Sequence, residues 1–274
     1  MKTRSSITLA AGIVLLAALA LFSGGCRKTE SALLSEFKSM TETTPTARGL
    51  TEAVSFMDKY IVEVSEEGAS RLVLAYEDYL LRFLDAGEAP DPEAPVSDWF
   101  VIPASSEEAQ PKIDYQALLT RYGERLSPEL CALFEIKSLE TTEPAVADAE
   151  ILRTYPEILD RALKTENLLK EHNSEDAVRA DSLEYYKKYL FLLMAGSDHT
   201  PVFDYDTGLF SEEAKAAYED FIVANPDTVL ADVLTEYFSY LNNIGFQIDY
   251  GDPTENKVFY DTCDYLINEA LESF

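Results

Sequence analysis

A chain of 274 residues with 50 Asp and Glu against 22 Lys and Arg has a formal charge of −28, a field that repels nucleic acid and anionic lipid headgroups and attracts cations and basic partners. Its 47% hydrophobic content, with 14 Phe and 16 Tyr, excludes a disordered acidic tail, and its length suffices for a full core in one or two domains. Three cysteines exclude a disulfide-dense scaffold.

Residues 1–26 have the layout of a secretory signal: Lys2 and Arg4, an apolar run from Ile7 to Phe22, then Ser23-Gly24-Gly25-Cys26. The run is shorter than the ~20 apolar residues a spanning helix needs, which weighs against an uncleaved anchor. With small residues directly before Cys26, the segment resembles the signal of bacterial lipoproteins. That resemblance implies cleavage between Gly25 and Cys26 and a diacylglycerol, with palmitate-type chains, on the Cys26 thiol. It also implies a protein held on the extracytoplasmic side of the bacterial cell membrane, where each buried methylene adds ~0.8 kcal/mol. The family usually places Leu three residues before the Cys; here that residue is Ser23, with Leu21 two positions further back. Ordinary secretion with cleavage after Ala18-Leu19-Ala20 is the competing reading. Loss of residues 1–25 removes two cations and no acid, and Arg27-Lys28 then lies beside the headgroups while the acidic body is held off.

Helical periodicity dominates the remainder. Ser31 is placed to cap a short helix with Leu33, Leu34 and Phe37 inward. Ala53, Phe56, Met57, Tyr60, Ile61 and Val64 form one stripe and Leu72, Tyr76, Tyr79, Leu80 and Phe83 another, a helical hairpin over 51–85 with Gly68 between its arms. Residues 87–111 carry five prolines, which break helix and strand interiors alike. Trp99-Phe100-Val101-Ile102 interrupts them with an apolar group expected to dock on the helices, with room for one short strand. Ser127-Pro128-Glu129 opens a later helix through a capping hydroxyl, an N1 proline and an acid facing the dipole. Further stripes follow around Tyr155–Leu169, Tyr186–Leu193, Ala214–Ile222 behind a Ser211 cap, Leu230–Leu241 opened by Asp227 or Thr228, and Phe259–Ala270. The expected fold is all-α. Its divisions are the signal at 1–25, N-terminal helices at 26–86, a Pro-rich linker or loop at 87–111, and a helical domain at 112–274.

A weak repeat of about fifty residues aligns the stretch from Ala162 to Ser174 with that from Ala216 to Asp227, each followed by a helix holding Glu184-Tyr185-Tyr186 or Glu236-Tyr237-Phe238. Ala217-Tyr218-Glu219-Asp220-Phe221-Ile222 and Asn225-Pro226-Asp227 resemble the second helix and exit turn of a tetratricopeptide repeat, without that family's first-helix Trp and Leu-Gly. From about Ile113 to Leu241, and most specifically at Tyr189-Leu190 and Gly196-Ser197-Asp198-His199-Thr200-Pro201-Val202-Phe203-Asp204-Tyr205, the chain resembles uncharacterised lipoproteins of Gram-positive bacteria. That resemblance implies location and helical architecture and brings no activity.

The densest polar stretch is the loop from Ser197 to Gly208, where Asp198, Asp204 and Asp206 are the candidate ligands for a hard cation such as Ca²⁺. The calcium-hand template fails: Gly208 falls at position five and Lys215 at position twelve, where oxygen ligands belong. The competing reading is that these aspartates satisfy loop donors between Gly196 and Pro201. His172 and His199 stand alone, Cys131 and Cys263 belong to no Cys-x-x-Cys, and no nucleotide-binding glycine loop or Gly-x-Ser-x-Gly elbow occurs. Cys131 and Cys263 either form one bridge or remain two buried thiols. Tyr185, Tyr186 and Tyr189, or Tyr237 and Tyr240, either stack on a glycan or peptide or pack inward with hydroxyls at the rim. No catalytic residue and no cofactor is assigned. The expectation is a non-enzymatic helical module, anchored through Cys26, that engages an envelope protein or peptide. The alternative is a solute- or divalent-cation-binding receptor component at the cell surface.

Overall fold

The computed structural model describes residues 28–87, 95–102, 110–171 and 176–274. Cys26 and the signal-type segment lie outside the described residues, as do His172 and the prolines at 90, 92 and 103. The described residues form ten α-helices: α1 (Glu30–Thr41), α2 (Ala47–Tyr60), α3 (Glu66–Asp85), α4 (Tyr115–Tyr122), α5 (Pro128–Thr142), α6 (Tyr155–Glu171), α7 (Asp176–Met194), α8 (Glu212–Ala224), α9 (Val229–Asn243) and α10 (Pro253–Glu272). The all-α expectation holds, and none of these helices is long and apolar enough to cross a membrane.

Side-chain oxygens set where the helices start, because the first turn leaves amides without carbonyl partners. Ser127 Oγ accepts from Leu130 N, and Ser211 Oγ accepts from Ala214 N, where the sequence placed them. Two boundaries move and a third is decided between its alternatives. Thr29, not Ser31, caps α1 by accepting from Ala32 N. Ser65 caps α3, so Gly68 sits in the first turn of that helix and donates its amide to Ser65 Oγ at 3.0 Å. Of the two candidates for α9, Thr228 is the cap.

Three antiparallel hairpins, each of two-residue strands, follow α3, α5 and α7: β1 (Phe100–Val101) with β2 (Lys112–Ile113), β3 (Val146–Ala147) with β4 (Glu150–Ile151), and β5 (Gly196–Ser197) with β6 (Thr200–Pro201). All three close alike: Asp114 N donates to Trp99 O, Leu152 N to Ala145 O, and Val202 N to Ala195 O. The last two closures lie fifty residues apart in sequence, the period of the weak repeat. Strands this short carry no alternating pattern, so only the one at Phe100–Val101 was anticipated.

Two hydrophobic cores result. The first joins α1 to α5 with Leu168 and Val178, and the second is built from α6 to α10 with Ala145 and the loop residues Val202, Phe203, Phe210 and Ile248. Trp99 docks as expected and belongs to the first core. It is 5% exposed, stacks on Tyr122 with ring centroids 6.1 Å apart, and meets Tyr76 edge-on at 5.8 Å. Helices on both sides of the Pro-rich stretch therefore share one core. Cys131 and Cys263 are both free thiols. Cys263 is fully buried in the second core, where desolvation pushes its thiol up to about 12, and Cys131 packs at the edge of the first.

Candidate functional site

Two polar constellations stand out, and they differ in what is left for a ligand. One is a buried seam between the cores. Glu77 on α3 accepts from Tyr115 Oη at 2.8 Å and from Lys137 Nζ at 2.5 Å, and Lys137 also pairs with Asp181 on α7. One turn along α5, Glu140 accepts from Arg161 Nη1 and Lys188 Nζ at 2.5 Å each and from Tyr189 Oη at 3.0 Å. Glu166 on α6 accepts from Tyr186 Oη at 2.9 Å, Lys170 Nζ at 2.7 Å, and the first two amides of α9, Val229 N at 2.9 Å and Leu230 N at 2.8 Å. Each of the three glutamates thus has a cation and a tyrosine hydroxyl.

Such a seam is saturated. Burial pushes the Glu140 carboxyl up, but Lys188 and Arg161 overcome that effect and hold it below the usual carboxylate range. The hydroxyls of Tyr115, Tyr186 and Tyr189 are pushed far up, first by desolvation and then by the adjacent carboxylates, so they remain donors. Tyr186, Tyr189 and Tyr237 are core residues with their hydroxyls bonded inside the protein, the last to Met194 O at 2.6 Å. The seam ties helices together and fixes their register.

The second constellation is at the surface, where the β5–β6 hairpin, the loop at 203–210, the turn after α9 and the start of α10 meet. Hairpin β5–β6 leans on hairpin β3–β4: His199 N and Ser197 Oγ both donate to Ala149 O, and Ile151 N donates to Thr200 Oγ1. The loop is then held against the turn after α9, since Ile248 N donates to Gly208 O and Phe210 N to Phe246 O, both at 3.0 Å. This scaffold presents Tyr205, 54% exposed, with its hydroxyl donating to Asp198 O at 3.0 Å. The Tyr205 ring lies 4.7 Å from that of Tyr250, whose hydroxyl donates to Phe203 O. Tyr260 on α10 is 42% exposed; its ring lies 5.0 Å from that of Phe259, which meets Phe203 of the loop edge-on at 5.3 Å, and partial burial followed by Tyr205 pushes its hydroxyl up. Tyr205 also lines an open groove of about 580 Å³ with His199, Asp204, Asp206, Leu209 and their neighbours.

The three candidate cation ligands do not converge. No group of three His, Cys, Asp or Glu side chains among the described residues is placed to hold a metal ion. Asp204 Oδ1 accepts from Asp206 N, Thr207 N and Thr207 Oγ1, bonds that hold its carboxyl below the usual range and complete a turn within the loop. Asp198 supplies its backbone oxygen to Tyr205. Sequence reasoning found this loop and missed the tyrosine face. Tyr205 lay inside the motif, but Tyr250 and Tyr260 reach it only through the tertiary fold. No protein-family model matches the chain, and no match is found among curated proteins or solved structures.

Proposed function

We propose that this chain is a lipid-anchored helical interaction module on the outer side of a bacterial cell membrane. The single observation that carries the reading is the pattern of residues 1–26: two cations, an apolar run too short to span, and Ser23-Gly24-Gly25 before Cys26. The binding half of the reading draws support from paired helices whose hairpins and loops assemble one exposed face around Tyr205. The cation-receptor alternative draws less support, because no group of three His, Cys, Asp or Glu side chains among the described residues is placed to hold a metal ion. Growth of a bacterium expressing the chain with an alkyne-tagged fatty acid tests the anchor. Label and membrane retention are expected for the unaltered chain and are lost in Cys26→Ala; a labelled Cys26→Ala chain overturns the anchor. Crosslinking in intact membranes tests the binding half, and recovery of no partner above background counts against it.

A further inference from the structure

Charge is distributed unevenly along the fold. Residues 189–274 contain seventeen Asp and Glu, two Lys and no Arg. Both lysines are engaged: Lys257 pairs with Asp261, and Lys215 lies over the Phe246 ring at 4.4 Å. The face at Tyr205 is therefore an aromatic surface set in the most negative part of the molecule. A ring presents its negative face to a cation, and an exposed cation–π contact gains from carboxylates beside it.

Resting on the interaction reading, we propose that the Tyr205–Tyr250–Tyr260 face binds a lysine- or arginine-bearing peptide segment of a partner protein. Tyr205 donates to the Asp198 backbone oxygen and lines one groove with Asp204 and Asp206. A cationic side chain laid over Tyr205 or Tyr260 places its alkyl stem on the ring and its charge in the negative field of the surrounding acidic surface. Charge complementarity selects this occupant. A second copy brings the same net −28 and is repelled, and a neutral glycan draws no advantage from the surrounding field.

The test uses the full chain in detergent and a fluorophore-labelled, lysine-rich synthetic peptide, read by anisotropy. Tyr260→Ala and Tyr205→Ala are each expected to weaken binding about threefold to tenfold without altering net charge. Tyr260→Phe keeps the affinity, because the ring face and not the hydroxyl carries the attraction. Acetylating the peptide lysines removes binding. Loss of the Tyr205 hydroxyl also removes its bond to Asp198 O, so Tyr260→Ala, on the surface of α10, is the cleaner variant. Circular dichroism melts confirm that both variants fold. Unchanged affinity in both alanine variants overturns the proposal, since attraction is then spread over the acidic surface. Equal binding of the acetylated peptide, or Tyr260-dependent binding of a neutral oligosaccharide instead, also overturns it. A crosslinked partner retained by both variants removes this face while leaving the interaction reading intact. Absence of both partner and peptide binding removes the two together.

Discussion

Tyr189 on α7 donates its hydroxyl to Glu140 Oε1 on α5 at 3.0 Å, and the same carboxylate holds Arg161 from α6. Three helices from the two cores thus meet on one residue that is 7% exposed. Glu140→Ala leaves Arg161, 6% exposed, without its counter-charge and Tyr189 without its acceptor. The expected loss is about 3–5 kcal/mol, read from urea unfolding. The pH dependence follows from the depressed Glu140 carboxyl. Folding favours its ionised form, so its contribution is complete above the unfolded carboxylate value of about 4.3 and disappears as pH falls through the lower folded value. The stability gap between the unaltered chain and Glu140→Gln should therefore close on acidification. A gap that stays constant or widens on acidification contradicts this account.

Glu166 gives a second test, because it acts as a cap from another helix. Its side chain accepts Val229 N and Leu230 N at the start of α9, while Thr228, the local cap, accepts only Ala231 N. Thr228→Ala should cost about 1 kcal/mol. Glu166→Ala strands two amides and the Tyr186 hydroxyl, and should cost at least about 2 kcal/mol. A loss in Glu166→Ala well below that of Thr228→Ala in urea melts would assign the cap to Thr228 alone.

The helices were legible because amphipathic stripes and Ser, Thr or Asp caps are local signals, and Ser127, Ser211 and Trp99 fell where those signals put them. The α1 cap falls at Thr29, two residues before Ser31, and α3 starts behind Ser65, so that Gly68, expected between the arms, lies inside the helix, because neighbouring hydroxyls and glycines compete for the same turn. Hairpins of two-residue strands leave no periodicity to read. The buried glutamates were hidden for another reason: Glu77, Glu140 and Glu166 look like solvated helix acids until partners from distant segments cover them. Tyr250 and Tyr260 likewise join Tyr205 only through loop and helix packing.

Trp99 interrupts the Pro-rich stretch and docks on the helices as its apolar character leads one to expect. Its ring fills the space between Tyr76 and Tyr122, with the Arg121 guanidinium 5.6 Å from its centroid. Trp99→Ala should destabilise the chain by about 3–5 kcal/mol, as for other large core deletions. Ile102→Ala, at a site 68% exposed, should change stability by less than about 0.5 kcal/mol. Denaturant unfolding followed by circular dichroism checks both, since the first variant loses the only tryptophan.

Gly208 fixes how the Tyr205 loop meets the turn after α9. Its φ is +68°, and a Cβ there would lie 2.0 Å from Ile248 O. Gly245 has the same φ with nothing within 4 Å of a Cβ, so the two positions separate backbone strain from collision. Gly245→Ala should cost about 1–2 kcal/mol, the left-handed penalty alone. Gly208→Ala must in addition push residues 247–248 away, breaking the bond from Ile248 N to Gly208 O. Hydrogen exchange at Ile248 N should accelerate in Gly208→Ala and stay near its original rate in Gly245→Ala. The same displacement would part Tyr205 from Tyr250, so Gly208→Ala should weaken any ligand of that face more than its loss of global stability requires.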